Sequence, residues 1–168
     1  VMQALVNVCK AQGWTVEYAD SNAIGTGSAS DPRFDTVAYS SGASIGIIVL
    51  KMPLNGLSTE WRIRIEVKWG TVSGGYVLLM ATGTGQTGGV LTNPGTTISV
   101  GGASASSQIN SEYYVAAHKN EFLLALPASF AIQFGRFRTL SGVSLDDIQI
   151  MATGLNTSFI SGFPPPAN

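Results

Sequence analysis

The sequence predicts a mainly β protein, an antiparallel β-sandwich or jelly roll with one short N-terminal α-helix. Three observations support this prediction. Residues 60–69 read E-W-R-I-R-I-E-V-K-W, in which charged and apolar side chains alternate without a break. About eight to ten short apolar segments succeed one another at intervals of about ten residues, separated by turn-forming residues. Only the first dozen residues have a clear helical period.

The helix is predicted over residues 2–12, where Met2, Leu5, Val6 and Cys9 recur at helical spacing. Gly13 follows as a carboxyl-terminal cap. Residues 14–19 then alternate between apolar and polar side chains and predict the first strand. A loop is expected over residues 20–33, and strands over residues 34–39 and 45–51. Asn55-Gly56 is a turn signal after the second of these strands.

The long strand of residues 60–69 has two chemically different faces. A period of two places the apolar side chains on one face and the charged ones on the other. At about 3.3 Å per residue the strand spans roughly 33 Å. We therefore expect one face to be buried and the other to meet water or a partner. The apolar row is Trp61, Ile63, Ile65, Val67 and Trp69, and the charged row is Glu60, Arg62, Arg64, Glu66 and Lys68.

The second half of the chain continues the strand pattern. Residues 76–82 are the expected hairpin partner of the long strand. Two loop segments rich in Gly, Thr and Ser surround a short strand over residues 96–100. His118-Lys119-Asn120-Glu121 has the composition of a hairpin turn. Because Pro164 to Pro166 cannot join a sheet interior, residues 159–168 are predicted to form an extended tail. The remaining predicted strands are residues 109–117, 122–126 and 130–137, with residues 146–151 forming a last strand or a short helix.

Composition restricts the class of protein. The chain of 168 residues predicts a single domain, residues 1–168. Nine basic and ten acidic residues nearly cancel, and no basic stripe for nucleic acid is present. No apolar run approaches the length of about 20 residues that a membrane-spanning helix needs. The single cysteine, Cys9, excludes an internal disulfide framework and a multi-cysteine metal site.

The charged fraction is unusually low, at 11% of residues, where about 25% is typical. A weakly charged surface is poor at keeping copies of a protein apart. We therefore expect the surface to be covered in an assembly of this protein. The alternative is an ordinary β domain with a coat of Ser and Thr.

The motifs that could carry chemistry have simpler explanations. Residues 83–88 match G-x-G-x-x-G, but the glycines and proline that follow predict no helix to receive a pyrophosphate. His118, the only histidine, lies in a polar turn where we expect solvent exposure. Glu60 and Glu66 alternate with basic residues, which favours ion pairing over glycoside cleavage. Asp146-Asp147 has no third ligand nearby for a metal ion. The sequence thus predicts no catalytic residues, no cofactor and no metal site.

The two tryptophans of the long strand have two interpretations. Trp61 and Trp69 could form an aromatic platform for a sugar, but strand rise separates them by roughly 26 Å. They also share their face with three branched aliphatic residues. Core packing is therefore the favoured interpretation.

Two segments resemble parts of tailed-bacteriophage structural proteins. Residues 4–18, A-L-V-N-V-C-K-A-Q-G-W-T-V-E-Y, are similar to openings in which a short helix ends in Gly-Trp and enters a β-sandwich. Residues 118–126, H-K-N-E-F-L-L-A-L, and 130–138, F-A-I-Q-F-G-R-F-R, resemble the late hairpin of such proteins. The resemblance covers about a fifth of the chain and brings no catalytic motif. It implies a non-enzymatic component of the virion, such as a decoration, minor capsid or tail-associated protein.

The same resemblance implies copies of the chain and other virion proteins as partners, with a homo-oligomer inside a larger assembly. Two candidate interfaces follow from the residues. One is the charged face of Arg62, Arg64, Glu66 and Lys68, which would set register by charge complementarity. The other is an extended arm at Phe163 and Pro164. A carbohydrate-binding or receptor-binding β-sandwich module is the alternative function, and a glycan hydrolase or esterase ranks last.

Overall fold

The computed structural model describes residues 1–35, 40, 42–57, 59–69, 76–101, 113–126, 130–138, 144–154 and 157–162. This part of the chain is mainly β, with antiparallel sheets and a short amino-terminal helix, as the sequence predicts. Its helices are α1 (Met2–Ala11) and α2 (Ser21–Ile24). Its strands are β1 (Thr15–Ala19), β2 (Ser44–Lys51), β3 (Arg62–Trp69), β4 (Tyr76–Gly83), β5 (Gly85–Thr87), β6 (Val90–Thr92), β7 (Ile98–Gly101), β8 (Tyr114–His118), β9 (Glu121–Leu126), β10 (Phe130–Arg138), β11 (Ser144–Gly154) and β12 (Thr157–Gly162).

The strands form two five-stranded antiparallel sheets and one small hairpin. The first sheet has the order β1-β2-β3-β4-β7, the second the order β12-β11-β10-β9-β8, and β5 pairs with β6. Within each large sheet, neighbouring strands follow one another along the chain, apart from the β5–β6 excursion. A jelly roll is instead built from Greek keys, in which distant strands become neighbours. The strand order of the described residues therefore gives the jelly-roll part of the prediction no support.

Helix α1 confirms the predicted amino-terminal helix. Met2, Leu5, Val6 and Cys9 are all buried, so the helical period read from the sequence marks the face that packs. The helix lies beside β8, at the edge of the second sheet. The Cys9 thiol is fully enclosed, and this burial raises its pKa to about 12. A thiol of this kind is unreactive until the protein unfolds.

The main hydrophobic core receives side chains from α1 and from both large sheets. Trp14 lies at its centre, between the helix and the second sheet. Its ring meets the rings of Phe122 and Phe134 edge-on, at centroid distances of 6.0 and 5.7 Å. Its indole N–H donates a 2.9 Å hydrogen bond to the main-chain oxygen of His118. Trp14 therefore fastens the amino-terminal segment to the β8–β9 turn. The contributions of the two sheets include Ile48, Leu50, Ile63 and Ile65 from the first, and Leu124 and Ile132 from the second.

Two segments predicted as loops contain regular structure. Within residues 20–33, α2 begins after Asp20, whose carboxylate accepts from the main-chain N–H of Ala23 at 2.8 Å. The same carboxylate oxygen accepts from the N–H of Ile47 at 3.1 Å and so ties α2 to β2. Residues 83–92 contain the β5–β6 hairpin, which lacks the apolar alternation that would have identified it. Both elements depend on contacts with the first sheet more than on their own sequence.

Several predicted boundaries also change. The segment of residues 146–151 is part of β11 and not a helix. Strand β12 pairs with β11 and includes residues 159–162 of the predicted tail. Residues 36–39 and 109–112, which belong to two predicted strands, lie outside the described residues, as do residues 163–168 of the tail.

None of the helices in the described ranges has both the length and the hydropathy to cross a membrane.

Candidate functional site

The apolar row of the long strand is part of the core, as predicted. Ile63, Ile65 and Val67 are buried, and so is Trp61 just before β3 begins. Trp69 is half-buried and packs against the same core. The alternative interpretation of Trp61 and Trp69 as an aromatic platform for sugar is therefore wrong, because both side chains pack against the core.

The charged row was predicted to meet water or a partner, but Arg62 lies within the protein. Its side chain is only 11% exposed. The guanidinium donates two hydrogen bonds to the carboxylate of Glu17, from Nε to Oε2 at 2.8 Å and from Nη2 to Oε1 at 3.0 Å. Its Nη1 donates to the main-chain oxygens of Glu60 and Thr84 at 2.8 and 2.9 Å. The hydrogen bond from Arg62 to Glu17 raises the pKa of the guanidinium further.

A β-bulge in β1 makes this pairing possible. The register shifts between Val16, opposite Leu50, and Tyr18, opposite Val49. Val16 packs toward the main core, and the extra residue, Glu17, reaches Arg62 on the other side of the sheet. A bulge changes the direction of successive side chains in this way. It brings an acid from β1 to a basic residue two strands away.

The carboxylate of Glu60 completes the cluster around Arg62. It accepts a hydrogen bond from Lys51 Nζ at 3.2 Å and one from Arg62 Nη2 at 3.2 Å. These two bonds, that from Lys51 first, lower the pKa of Glu60 below its ordinary value. Lys51 Nζ also lies 3.6 Å from Glu17 Oε1. Two acids and two bases thus neutralise one another at this end of the sheet.

A second cluster continues along the same face. Glu66, which is nearly buried, accepts from Arg64 Nη2 at 2.9 Å and lies 3.3 Å from Lys68 Nζ. Arg64 Nε also donates to the main-chain oxygen of Gly89 at 3.1 Å. Lys68 is the most open of the four predicted interface residues on β3, with 39% of its side chain exposed. Each of the four already has an ion-pair partner within the chain.

The β5–β6 hairpin explains why this face is closed. Leu91 on β6 packs into a small second core with Val49 and Ala81, and Tyr18 packs against it. The hairpin therefore lies over the outer face of the first sheet. The G-x-G-x-x-G motif of residues 83–88 spans the end of β4, β5 and the hairpin turn, and no helix follows it. Gly83 and Gly85 lie close to β6, where an added Cβ would come within 2.8 Å of the Thr92 oxygen and 3.1 Å of Thr92 Oγ1, respectively. Because a hairpin takes the place of the helix that a pyrophosphate needs, the dinucleotide interpretation has no support.

Two adjacent glycines of the hairpin turn provide a matched test of this packing. Gly88 and Gly89 have φ values of +56° and +83°. A Cβ at Gly88 meets nothing within 4 Å, whereas one at Gly89 would lie 2.5 Å from Cε1 of Tyr18. We expect Gly88→Ala to lower the free energy of unfolding by about 1–2 kcal/mol, the left-handed backbone penalty alone. Gly89→Ala should cost about 2–4 kcal/mol, because overpacking adds to that penalty.

Chemical denaturation of the two variants gives this comparison, and amide hydrogen exchange of residues 85–92 locates the effect. Equal destabilisation by both substitutions would show that the hairpin does not rest on Tyr18.

The second sheet has a different outer face. Along β8 the exposed residues are Tyr114, Ala116 and His118, and Val115 and Ala117 point toward the core. Ala116 pairs with Leu123 of β9, which in turn pairs with Gln133 of β10. His118 pairs with Glu121 across the turn of Lys119 and Asn120. The exposure of His118 at this turn is as predicted.

A shallow depression of about 370 Å³ lies on this face. Its outward-facing lining residues are Ala116, His118, Glu121, Leu123 and Gln133. In the part of the chain that the structure describes, the side chains of His118, Glu121 and Gln133 have no hydrogen-bond or ion-pair partner. On the first sheet, by contrast, the charged side chains of β3 all form ion pairs.

Gly135 shapes one end of the depression. It lies opposite Glu121 with φ at +153°, and a Cβ there would come within 2.4 Å of the Glu121 Cβ and 2.7 Å of the Asn120 oxygen. The missing side chain lets the β8–β9 turn lie close against β10. Asn120 is also held from the other side by Asn55, whose amide donates to its Oδ1 at 3.2 Å.

This surface was not predicted from the sequence, although the sequence contains a signal for it. The alternation of Tyr114, Ala116 and His118 with Val115 and Ala117 marks an outward row, and Glu121 and Leu123 form the next one. Leu123 and Tyr114 are exposed large apolar residues, as is Tyr113 just before β8.

The other predicted features have simple outcomes. Phe163 and Pro164 lie outside the described residues, so their role as an interface stays a prediction. Asp146 and Asp147 fall within β11. Among the described residues, no group of three His, Cys, Asp or Glu side chains could hold a metal ion.

Comparison of the chain with protein-family models, with curated proteins and with solved structures gives no match.

Proposed function

We propose that the protein is a non-enzymatic structural subunit of a bacteriophage particle, a capsid decoration, minor capsid or tail-associated protein. It acts through contacts with copies of itself and with other virion proteins, and its two large sheets pack face to face as a β-sandwich. The observation that carries this proposal is the internal use of the chain's few charges.

Within the part of the chain that the structure describes, six of the protein's nine basic residues form ion pairs, with Asp31 and three glutamates, Glu17, Glu60 and Glu66, as their partners. Charges that neutralise one another at short range contribute little to the field around the protein. The repulsion that keeps copies of a soluble monomer apart is therefore weak. The six basic residues are Lys10, Arg33, Lys51, Arg62, Arg64 and Lys68.

The covered face of the first sheet offers an apolar contact at its hairpin. Val90 is 72% exposed, while its neighbour Leu91 is buried and fixes the hairpin to the sheet. A rigidly held apolar side chain loses little freedom when a second copy covers it. Lys68 lies on the same sheet face and, as the most exposed charge of β3, could help to orient that copy. Many weak contacts of this kind add up in a particle.

Sedimentation velocity over a wide range of concentrations tests this function. The protein should associate reversibly, and the association should persist at high ionic strength, because salt screens charges but not apolar burial. Val90→Lys should weaken association by about tenfold, the equivalent of one lost apolar side-chain contact.

Leu54→Lys is the matched control, since it makes the same change at an exposed apolar residue in the β2–β3 turn. A protein that is monomeric at every concentration, or that loses association equally with both lysines, contradicts the proposed function.

A further inference from the structure

We infer that the depression on the outer face of the second sheet binds a short, uncharged saccharide chain. This site goes beyond the structural role proposed above and uses the second sheet, whereas that role uses the first. It is built from β8, β9 and β10, with Ala116, Leu123 and Gln133 across it and His118 and Glu121 at one end.

The lining has the two kinds of surface that a sugar ring needs. Ala116 and Leu123, cross-strand neighbours, form an apolar floor on which the C–H face of a sugar can rest. Tyr114 is 57% exposed and follows Ala116 along the same face of β8, where its ring would lengthen this floor for a longer chain. An aromatic ring offers a large rigid contact at small entropic cost.

The polar groups around the floor supply hydrogen bonds of both kinds. The carboxylate of Glu121 accepts, the amide of Gln133 both donates and accepts, and the imidazole of His118 does either. None of these side chains is engaged elsewhere in the described part of the protein. Hydroxyl groups of a ligand can therefore replace water at these groups without breaking contacts inside the protein.

The dimensions and the charge favour a neutral chain. From Tyr114 to His118 the strand rises by roughly 13 Å, and three neighbouring strands span roughly 10 Å. This is long enough for more than one sugar ring. The charges near the site come from Glu121 and Lys119, so one acid and one base are present together. Such a balance suits a neutral polar ligand better than a phosphate or a basic peptide.

The floor is also held in place before any ligand arrives. Trp14 fixes the oxygen of His118 and Asn55 fixes the side chain of Asn120, so both sides of the β8–β9 turn are anchored. A surface that needs no rearrangement keeps more of its interaction free energy for binding.

Two-dimensional ¹H–¹⁵N NMR of the full chain tests the site. The probes are oligosaccharides of glucose, galactose, mannose and N-acetylglucosamine, each titrated to millimolar concentration. We expect at least one probe to shift amide signals of β8–β10 selectively. Tyr114→Ala should then weaken binding by about tenfold, and Glu121→Gln, which keeps the size of the side chain, by several-fold.

Val90→Lys, on the first sheet, is the control and should bind the same probe as the unmodified protein does. Because Val90 lies on the hairpin that covers the first sheet, the effect of this substitution on association is independent of the sugar site. The saccharide site and the proposed structural function can therefore be contradicted separately. Absence of selective shifts with every probe, or binding unchanged by both Tyr114→Ala and Glu121→Gln, overturns the inference. Unaltered spectra away from β8–β10 establish that each variant is folded.

Discussion

Replacing Trp14 with alanine is expected to lower the free energy of unfolding by about 3–5 kcal/mol. The indole is 2% exposed and fills the space between α1 and the second sheet, where it meets Phe122 and Phe134. Its removal leaves a cavity that two stacked phenylalanine rings, with centroids 5.4 Å apart, cannot readily fill. It also takes away the donor that holds the oxygen of His118.

Chemical denaturation measures this loss, and the rate of Cys9 alkylation gives an independent reading. The thiol is enclosed and its pKa is raised to about 12, so it reacts only when the protein opens. Trp14→Phe is the matched control: it retains an aromatic ring but no N–H donor. We expect it to recover more than half of the loss, because one hydrogen bond contributes only about 1 kcal/mol. A loss below about 1 kcal/mol for Trp14→Ala would mean that the helix does not depend on this contact.

Replacing Arg62 with alanine is expected to cost about 2–3 kcal/mol. The full loss on breaking a buried ion pair is about 3–5 kcal/mol, and the partial exposure of the Glu17 partner reduces it. The substitution leaves Glu17 and Glu60 close together with only Lys51 between them. It also removes the donor to the oxygen of Thr84, where the chain enters the β5–β6 hairpin.

The loss should depend on pH in a definite direction. The pKa of Glu60 is lowered in the folded protein by its hydrogen bonds to Lys51 and Arg62. A lowered carboxyl pKa stabilises the fold above the ordinary glutamate value of 4.5, and this contribution disappears as the pH falls through the lowered pKa. The difference between Arg62→Ala and the unmodified protein should therefore shrink in acid. Denaturation curves from neutral pH down to below pH 4.5 show whether it does.

Lys68→Ala is the control on the same strand face. Its side chain is more exposed and its one ion pair is 3.3 Å long, so we expect a loss within about 1 kcal/mol. Equal losses of unfolding free energy for Arg62→Ala and Lys68→Ala would show that the low exposure of Arg62 adds nothing to the stability of the fold.

The sequence predicted the structure best where the apolar side of a periodic segment is also the side that packs in the core. Helix α1 and strand β3 each bury the face that their periodicity marks, because a single core receives both. The turn of Asn55-Gly56 and that before Glu121 also lie where their composition predicts. In these segments, local preference and tertiary packing agree.

The environment of the charged row could not be predicted in the same way. Period two identifies Arg62 and Glu66 as sharing a face, but not that a glycine-rich hairpin folds over it. Leu91 of the hairpin packs with Val49, Ala81 and Tyr18, and the Gly89 oxygen accepts from Arg64, so the partners of the hairpin come from four strands of the first sheet. The bulge that brings Glu17 to Arg62 is likewise a property of strand pairing, with no signal in five residues of β1.

The open depression of the second sheet was missed for a different reason. Its residues come from three strands, and only the register shows that Ala116, Leu123 and Gln133 are neighbours. Register depends on turn length and on the buried face together. Once the position of the Lys119–Asn120 turn is known, the register of β8 and β9 is set, and alternation then identifies which side chains point outward.

The contact between Trp14 and the oxygen of His118 joins positions 104 residues apart. During synthesis the segment of α1 leaves the ribosome well before β8 and β9 exist. The helix has no lasting partner until then, since helices of about ten residues are marginal in isolation. The amino-terminal segment is thus made early and docks late, and its apolar side exposes Leu5, Val6 and Trp14 to other chains throughout that interval.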